Sequence, residues 1–227
     1  MIVKRASDVL EDLVDLSGKR VLDVGCGDGN LTRLMTAKGA FVTGLECQPQ
    51  QLAKALASDR AGSEDYVDAK AENMPFPDAS VDLVVFFNSL HHVPPDMMER
   101  AMAETARVLK PGALVYISEP VAAGAFFELA KPVDDETEVR RRAYETLMAA
   151  GQHGLRLESE HVFLHPMTMA DYKTFRDRIV SANHERAAVV DAMAAQLQAE
   201  FERLGKKTER GWEFQQPTRV NILVRKV

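Results

Sequence analysis

The residues best suited to chemistry fall in three short stretches: Asp23 to Gly29, Glu46-Cys47, and Asn88 to His92. Gly25, Gly27 and Gly29 follow Arg20-Val21-Leu22-Asp23-Val24, which reads as a buried strand, and precede a helix beginning near Asn30. Lacking Cβ atoms, such a turn lets a ligand lie against the main chain at the positive end of a helix. Glu46 stands 21 positions after Gly25, at the close of a second strand, where a carboxylate can accept hydrogen bonds from both hydroxyls of a ribose. Turn and acid together describe a nucleoside site. A dinucleotide dehydrogenase would need a third glycine where Asn30 stands; the arrangement here is G-x-G-x-G. Asp23, just ahead of the first glycine, sits awkwardly beside a pyrophosphate and suits a cationic or ammonium-bearing ligand. His91 and His92 are candidate proton acceptors near neutral pH, His92 preferred.

These residues need a scaffold, and the first 120 residues alternate strand and helix signals, as in a mostly parallel sheet with helices on both faces. Ser7 is placed to cap a helix with Val9, Leu10, Leu13, Val14 and Leu16 on one stripe, ended by Ser17-Gly18-Lys19. Strands are expected at 20–24, 40–46, 66–69 and 81–87, with helices near 30 and over 49–58. Val81 to Phe87 is apolar except for Asp82, the mark of a strand covered on both faces. Met98, Ala101, Met102, Thr105 and Val108 give the next helix its inner face. Lys110-Pro111-Gly112 stops it, and Ala113 to Ser118 is a fifth strand ending at Glu119-Pro120. Residues 121–150 and 168–205 read as helical cap segments, the latter with Val190, Met193, Leu197, Phe201 and Leu204 on one stripe. Residues 155–164 and 219–227 read as final strands. The expectation is one α/β domain over residues 1–227, a doubly wound, mostly parallel seven-stranded sheet with a helical cap over its carboxyl-end crevice.

Composition narrows the function classes. The 227 residues are 46% hydrophobic and 27% charged, ordinary for a globular chain. Twenty-eight Lys+Arg against 34 Asp+Glu leave a net charge of −6, which speaks against a broad nucleic-acid footprint. No stretch approaches the roughly 20 apolar residues of a membrane span, so no membrane role is expected. Cys26 and Cys47 are the only cysteines, too few for a disulfide framework or a cysteine-rich zinc site. A cytoplasmic protein is expected; its oligomeric state is not set by these features.

Val21 to Gly29 resembles motif I of the class I S-adenosylmethionine-dependent methyltransferases. The resemblance continues through Glu46, Ala71-Glu72-Asn73-Met74-Pro75-Phe76-Pro77-Asp78, the strand Val81 to Phe87, Asn88 to Val93, and Arg107-Val108-Leu109-Lys110-Pro111-Gly112. It spans residues 18–120, the cofactor-binding core, and is nearest the broad group holding the ubiquinone/menaquinone-pathway C-methyltransferases and many small-molecule methyltransferases. It implies S-adenosyl-L-methionine as cofactor. Gly25, Cys26 and Gly27 would pass beneath its methionine part, and Asp23 would help organise the amino group. Glu46 would hold the ribose and Cys47 would pack near the adenine. The main chain at Ala71 and the side chain of Glu72 would edge the adenine, and Asn88 would offer its carbonyl to the methionyl amino group. Where the family often carries Asp-Ala-Glu, this chain has Lys70-Ala71-Glu72, and lysine cannot accept the adenine's hydrogen bond. Glu72 or Asp68 substitutes, or the contact is backbone and apolar.

The implied reaction is methyl transfer to an O, C or N nucleophile of a small-molecule acceptor. The alternative is a non-catalytic regulatory protein that binds S-adenosylmethionine or its demethylated product. Glu119, at the end of the fifth strand, also faces the crevice, either as part of the site or capping or orienting a cap helix. His153, His161 and His165 invite a metal reading, but on a strand 161 and 165 lie about 13 Å apart, and no metal is expected. Phe126, Phe127, Tyr144, Tyr172, Phe175 and Trp212 serve packing or an acceptor pocket. Arg140-Arg141-Arg142 and Lys206-Lys207 read as solvated faces, although a carboxylate or phosphate acceptor can use one arginine.

Overall fold

The computed structural model describes residues 1–227 and every side chain but that of Ala182. The chain folds into two compact units. The larger consists of Ala6–Glu119, Val139–His161 and Arg219–Val227, the smaller of Met1–Arg5, Pro120–Glu138 and Val162–Thr218.

In the larger unit, strands β1 (Arg20–Val24), β2 (Phe41–Glu46), β3 (Asp65–Asp68), β4 (Val81–Phe87) and β5 (Leu109–Pro120) alternate with helices. The helices are α1 (Ala6–Leu13), α2 (Asn30–Ala37), α3 (Pro49–Ala57) and α4 (Met98–Val108). All five strands pair in parallel, with Asp23 opposite Gly44 on one side and Val85 on the other. Their carboxyl ends therefore share one edge. From β1 the order runs outward through β2 and β3 in one direction and through β4 and β5 in the other. That reversal is where open α/β sheets leave a crevice for ligands. The full order is β3-β2-β1-β4-β5-β8-β6, where β6 is Leu155–Met169 and β8 is Gly211–Arg225. An eighth strand, β7 (Lys206–Thr208), lies off this seven-strand path and pairs antiparallel with β8.

One face of the sheet packs Leu22, Val24, Val84, Phe86, Val115 and Ile117 against Met98, Ala101, Met102 and Val108 of α4. Removing each such side chain from water contributes roughly 1.5–3 kcal/mol. Ala143 and Leu147 of α6 (Thr137–Met148) join the same core, so the polar, arginine-rich helix belongs with the sheet through its two buried positions. The smaller unit has its own core of Leu129, Met169, Phe175, Ile179, Val190, Leu197, Phe201 and Phe214. Its helices are α5 (Ala125–Ala130), α7 (Tyr172–Ala182), α8 (Ala187–Ala192) and α9 (Ala194–Leu204). The stripe expected from Val190 to Leu204 holds, with Met193 and Leu204 packed half-buried on that core. Asp171 caps α7 by accepting from the Thr174 N–H at 2.8 Å.

Several boundaries differ from expectation. Helix α1 includes Ser7 and ends at Leu13, so Ser7 is not its cap. Val14 and Leu16 are buried all the same, so the apolar spacing reported core positions that lie beyond the helix. Helix α4 stops at Val108, but Lys110-Pro111-Gly112 forms the opening of β5. There Gly112 takes φ 76° and the pairing with β4 shifts register between Val81 and Leu83. Strands β6 and β8 are 15 residues each, well beyond the stretches expected at 155–164 and 219–227. The added part of β8 carries Gln216, whose buried amide donates to the carbonyls of Val121 and Pro217 at 2.8 Å, a long-range use of a polar residue that apolar alternation does not register.

Candidate active site

The turn from β1 into α2 needs its glycines for three different reasons. Gly25 (φ 72°) and Gly29 (φ 76°) are left-handed and closely covered: a Cβ on Gly25 would sit 2.6 Å from Ser89 Cβ, and one on Gly29 2.5 Å from the Tyr66 hydroxyl. Gly27 (φ 57°) is also left-handed, but a Cβ there would meet nothing within 4 Å. The bare main chain at Gly27 thus faces open space at the carboxyl edge of the sheet. The turn is pinned from below by Leu45, whose carbonyl accepts from the N–H groups of Gly25 (2.8 Å) and Cys26 (3.0 Å).

Glu46 at the end of β2 is 7% exposed, and both of its oxygens are engaged by main chain. Oε2 accepts from the Gly27 N–H at 2.8 Å and Oε1 from the Gln48 N–H at 2.7 Å. Each carboxylate oxygen has a second lone pair, so the group can hold the turn and still accept from a ligand. Asp23 is buried within β1 and its Oδ2 accepts from the Thr32 hydroxyl of α2 at 2.7 Å. Burial pushes its carboxyl up from 3.8 to about 7, a rise reinforced by the charge of Glu46 and opposed by the Thr32 hydrogen bond. Cys26 is buried, its sulfur lying 2.7 Å from where a Cβ on Gly44 would be. Burial and the charges of Asp23 and Glu46 push its thiol far up. Cys47 is exposed, and its thiol is raised first by desolvation and then by Glu46.

Beyond β3, Lys70 and Asn73 bridge across a tight turn that holds Ala71 and Glu72. Ala71 is buried in the core, Glu72 is half-buried, and the side chain of Lys70 is exposed. Asp68 is exposed and paired in register with Glu46. Arg107 holds the segment after this turn. Its guanidinium donates to the carbonyls of Met74 (2.9 Å) and Phe76 (2.7 Å) and to Asp78 (2.8 Å), while Glu104 accepts from Arg107 and from the Met74 N–H at 2.9 Å. Arg107 keeps the Glu104 carboxyl below the usual range. The sequence motif contained Arg107, but its clamp spans more than 30 residues and is visible only in three dimensions.

At the end of β4, Asn88 takes φ 55°, uncommon for a residue with a side chain. Its N–H donates to the Ser118 carbonyl at 2.8 Å. The following residues are fastened at both ends. Ser89 Oγ donates to the Val24 carbonyl at 2.6 Å, and Glu119 at the end of β5 accepts from the N–H groups of Ser89 (3.2 Å) and Leu90 (2.8 Å). The second carboxylate oxygen of Glu119 bonds Nδ1 of His91, which is buried. His92 is exposed, with its ring centroid 4.0 Å from that of His91. The two histidines are thus unequal: Glu119 orients one, and the other stands at the surface of the same edge. The fold brings Gly25, Cys26, Gly27, Glu46, Asn88, His91 and His92 to the carboxyl ends of adjacent strands. Asp23 stays inside the sheet, behind them.

Known proteins resemble this chain over the region that carries these residues. The family model "Methyltransferase domain" matches residues 22–117. A 27-O-demethylrifamycin SV methyltransferase from Amycolatopsis mediterranei is 35% identical over 145 residues, covering 60% of this chain and 50% of that protein. A ubiquinone biosynthesis O-methyltransferase from Dechloromonas aromatica is 37% identical over 117 residues, 49% of this chain and 48% of the relative. The chain spans about half the length of the curated relatives it matches. Its fold is similar to that of a SAM-dependent methyltransferase from Methanosarcina mazei, with TM-score 0.62 and 16% identity over 99% of this chain and 100% of the other. The residues fit that cofactor: Gly27 leaves open the space a Cβ would fill, and Glu46 is held beside it by two main-chain donors. Over residues 22–117 this chain is thus similar to the methyltransferase-domain family.

Proposed function

We propose that the chain transfers a methyl group from S-adenosyl-L-methionine to a nucleophilic atom of a small molecule. The names of its relatives, two of them O-methylating, favour oxygen as that atom. The observation that carries the reading is Gly27, a left-handed, uncovered backbone position bonded directly to Glu46. S-adenosyl-L-methionine, when bound, supplies a methyl group on a positively charged sulfur that is open to in-line attack. The chain's task is to bind, orient and accept a proton. Gly25, Cys26 and Gly27 give the close main-chain approach, and Glu46 takes the ribose hydroxyls on its remaining lone pairs. Asn88 turns its carbonyl toward the amino group, and its left-handed backbone is a local cost consistent with such a duty. Ala71 and Glu72, in the turn just ahead of the segment that Arg107 clamps, edge the adenine, and Cys47 packs beside it. Asp23, buried one layer behind, acts on the amino group through the turn rather than by touching it. Alignment of this kind contributes on the order of 7–11 kcal/mol. His92 takes the proton from the acceptor, a contribution of roughly 10²–10⁴-fold, and His91, fixed by Glu119, sets the position of that loop.

The acceptor is a small molecule rather than a nucleic acid, in keeping with the net charge of −6. Among the described residues no helix is long and apolar enough to cross a membrane. The test is twofold. Calorimetry is expected to show S-adenosylhomocysteine binding that Gly27→Val abolishes. Incubation with S-adenosyl-L-methionine and a metabolite extract is expected to release S-adenosylhomocysteine, more slowly for His92→Ala. Unchanged binding by Gly27→Val refutes the site. Binding without any turnover refutes the transferase reading in favour of a regulatory binder.

A further inference from the structure

Gly27 has no side chain to fix its conformation, so its neighbours must. Upstream, the Cys26 N–H donates to the Leu45 carbonyl at 3.0 Å. Downstream, the turn meets side chains that the cofactor reading leaves without a role. Nη1 of Arg33, on α2, donates to the Asp28 carbonyl at 3.0 Å and to the Tyr66 hydroxyl at 3.3 Å, and Nη2 donates to Asn30 Oδ1 at 2.8 Å. Asn30 Nδ2 in turn donates to the Asp28 carboxylate at 2.8 Å, so Asn30 makes two side-chain bonds that a glycine in its place could not. Tyr66 comes from β3, in register with Gly44 of β2. A Cβ on Gly44 would lie 2.8 Å from the Tyr66 ring and 2.7 Å from the Cys26 sulfur. Gly44 therefore leaves the room through which the ring reaches the turn and brings its hydroxyl under Gly29. All of these residues belong to the larger unit.

We propose that Tyr66, Arg33 and Asn30 are positioning residues for the cofactor, holding the turn in the form that presents the Gly27 main chain. Glycine takes either sign of φ about equally, so an open position such as Gly27 has other conformations within reach. A ligand that meets only one of them loses affinity in proportion to the time the turn spends in the rest. The planar fork of Arg33 reaches the turn, the start of α2 and β3 at once, a geometry that an ammonium cannot reproduce. The inference rests on the methyl-transfer reading for taking S-adenosyl-L-methionine as the ligand that meets Gly27, and it adds to that site residues that act through the turn.

The probe is S-adenosylhomocysteine, titrated by calorimetry into the full chain. Tyr66→Phe removes one hydroxyl and keeps the ring that packs against the turn. It is expected to weaken binding roughly three- to tenfold, the worth of one hydrogen bond. Arg33→Lys, which keeps the charge and loses the fork, is expected to weaken it at least as much. The double variant is expected to lose less than the product of the two factors, because both act on one network. In the ligand-free protein the Gly27 amide, which donates to Glu46, is expected to exchange its hydrogen faster in either variant than in the wild type, while the buried amides of β1 and β4 keep their rates. A general loss of stability would speed all of them together. Unchanged affinity in both variants overturns the proposal, as does Gly27 exchange no faster than in the wild type, or faster exchange shared by β1 and β4. Failure of the wild type to bind S-adenosylhomocysteine would overturn the methyl-transfer reading instead. The Gly27 rates would then judge the network alone, faster exchange in the variants supporting its hold on the turn and equal rates overturning it.

Discussion

Asp23 offers the most quantitative prediction. It is 1% exposed, its side chain bonds the neutral Thr32 hydroxyl, and its carboxyl titrates near 7 in the fold against 3.8 in an open chain. Between those values the folded state holds a proton that the unfolded state has released. Stability from this group is therefore fully present below pH 3.8 and is lost as pH rises through about 7. At about 1.36 kcal/mol per unit, the whole effect is about 4 kcal/mol, of which more than half falls between pH 5 and 8. Asp23→Asn keeps an oxygen for the Thr32 hydroxyl and removes the titration. Urea unfolding of the ligand-free protein at pH 5 and pH 8 reads the difference. Carboxyls such as Glu64 and Asp82, held below their ordinary values, tilt the curve the other way, but they tilt both proteins alike. The variant is expected to gain roughly 2–3 kcal/mol on the wild type between the two pH values. Parallel curves would refute the claim that this buried carboxyl resists ionisation.

The same contacts set three further outcomes. Glu46→Ala is expected to weaken S-adenosylhomocysteine binding by roughly 1–3 kcal/mol in calorimetry, and an unchanged affinity would remove the ribose role. Gly25→Ala is expected to lower the melting temperature further than Gly27→Ala, since both strain a left-handed backbone but only the Gly25 methyl would meet Ser89, at 2.6 Å, whereas Gly27→Ala is expected to cost more ligand affinity. The reverse order of effects in thermal melts and calorimetry would contradict the packing described. Glu119→Ala frees the Ser89 and Leu90 N–H groups and His91 together, so turnover is expected to fall further than cofactor affinity; equal losses in kcat and binding would make Glu119 merely a fold-stabilising residue.

Local features carried much of the architecture. Arg20–Val24 and Val81–Phe87 form strands over the span their apolar runs imply, and α2 starts at Asn30, directly after the third glycine. These elements are legible because burial on both faces and left-handed turns leave marks on neighbouring residues. The long β6 and β8 carry no comparable mark, since polar residues on them are satisfied by partners far along the chain, Glu160 by Asn221 and Gln216 by Val121.

The same division runs through the site. Residue type and spacing alone determined that a glycine turn and an acid lie at successive strand ends, because strand period and glycine's lack of Cβ are properties of short segments. Tertiary structure decided how those groups are used. Parallel register brings Glu46 onto the Gly27 N–H, Glu119 reaches Ser89 and Leu90 from about 30 residues away, and Arg107 ties down Met74 and Phe76. It also separates His91, buried against a carboxylate, from His92, left exposed. Hydrogen bonds and burial depend on which distant atoms meet, and only the packed chain settles that.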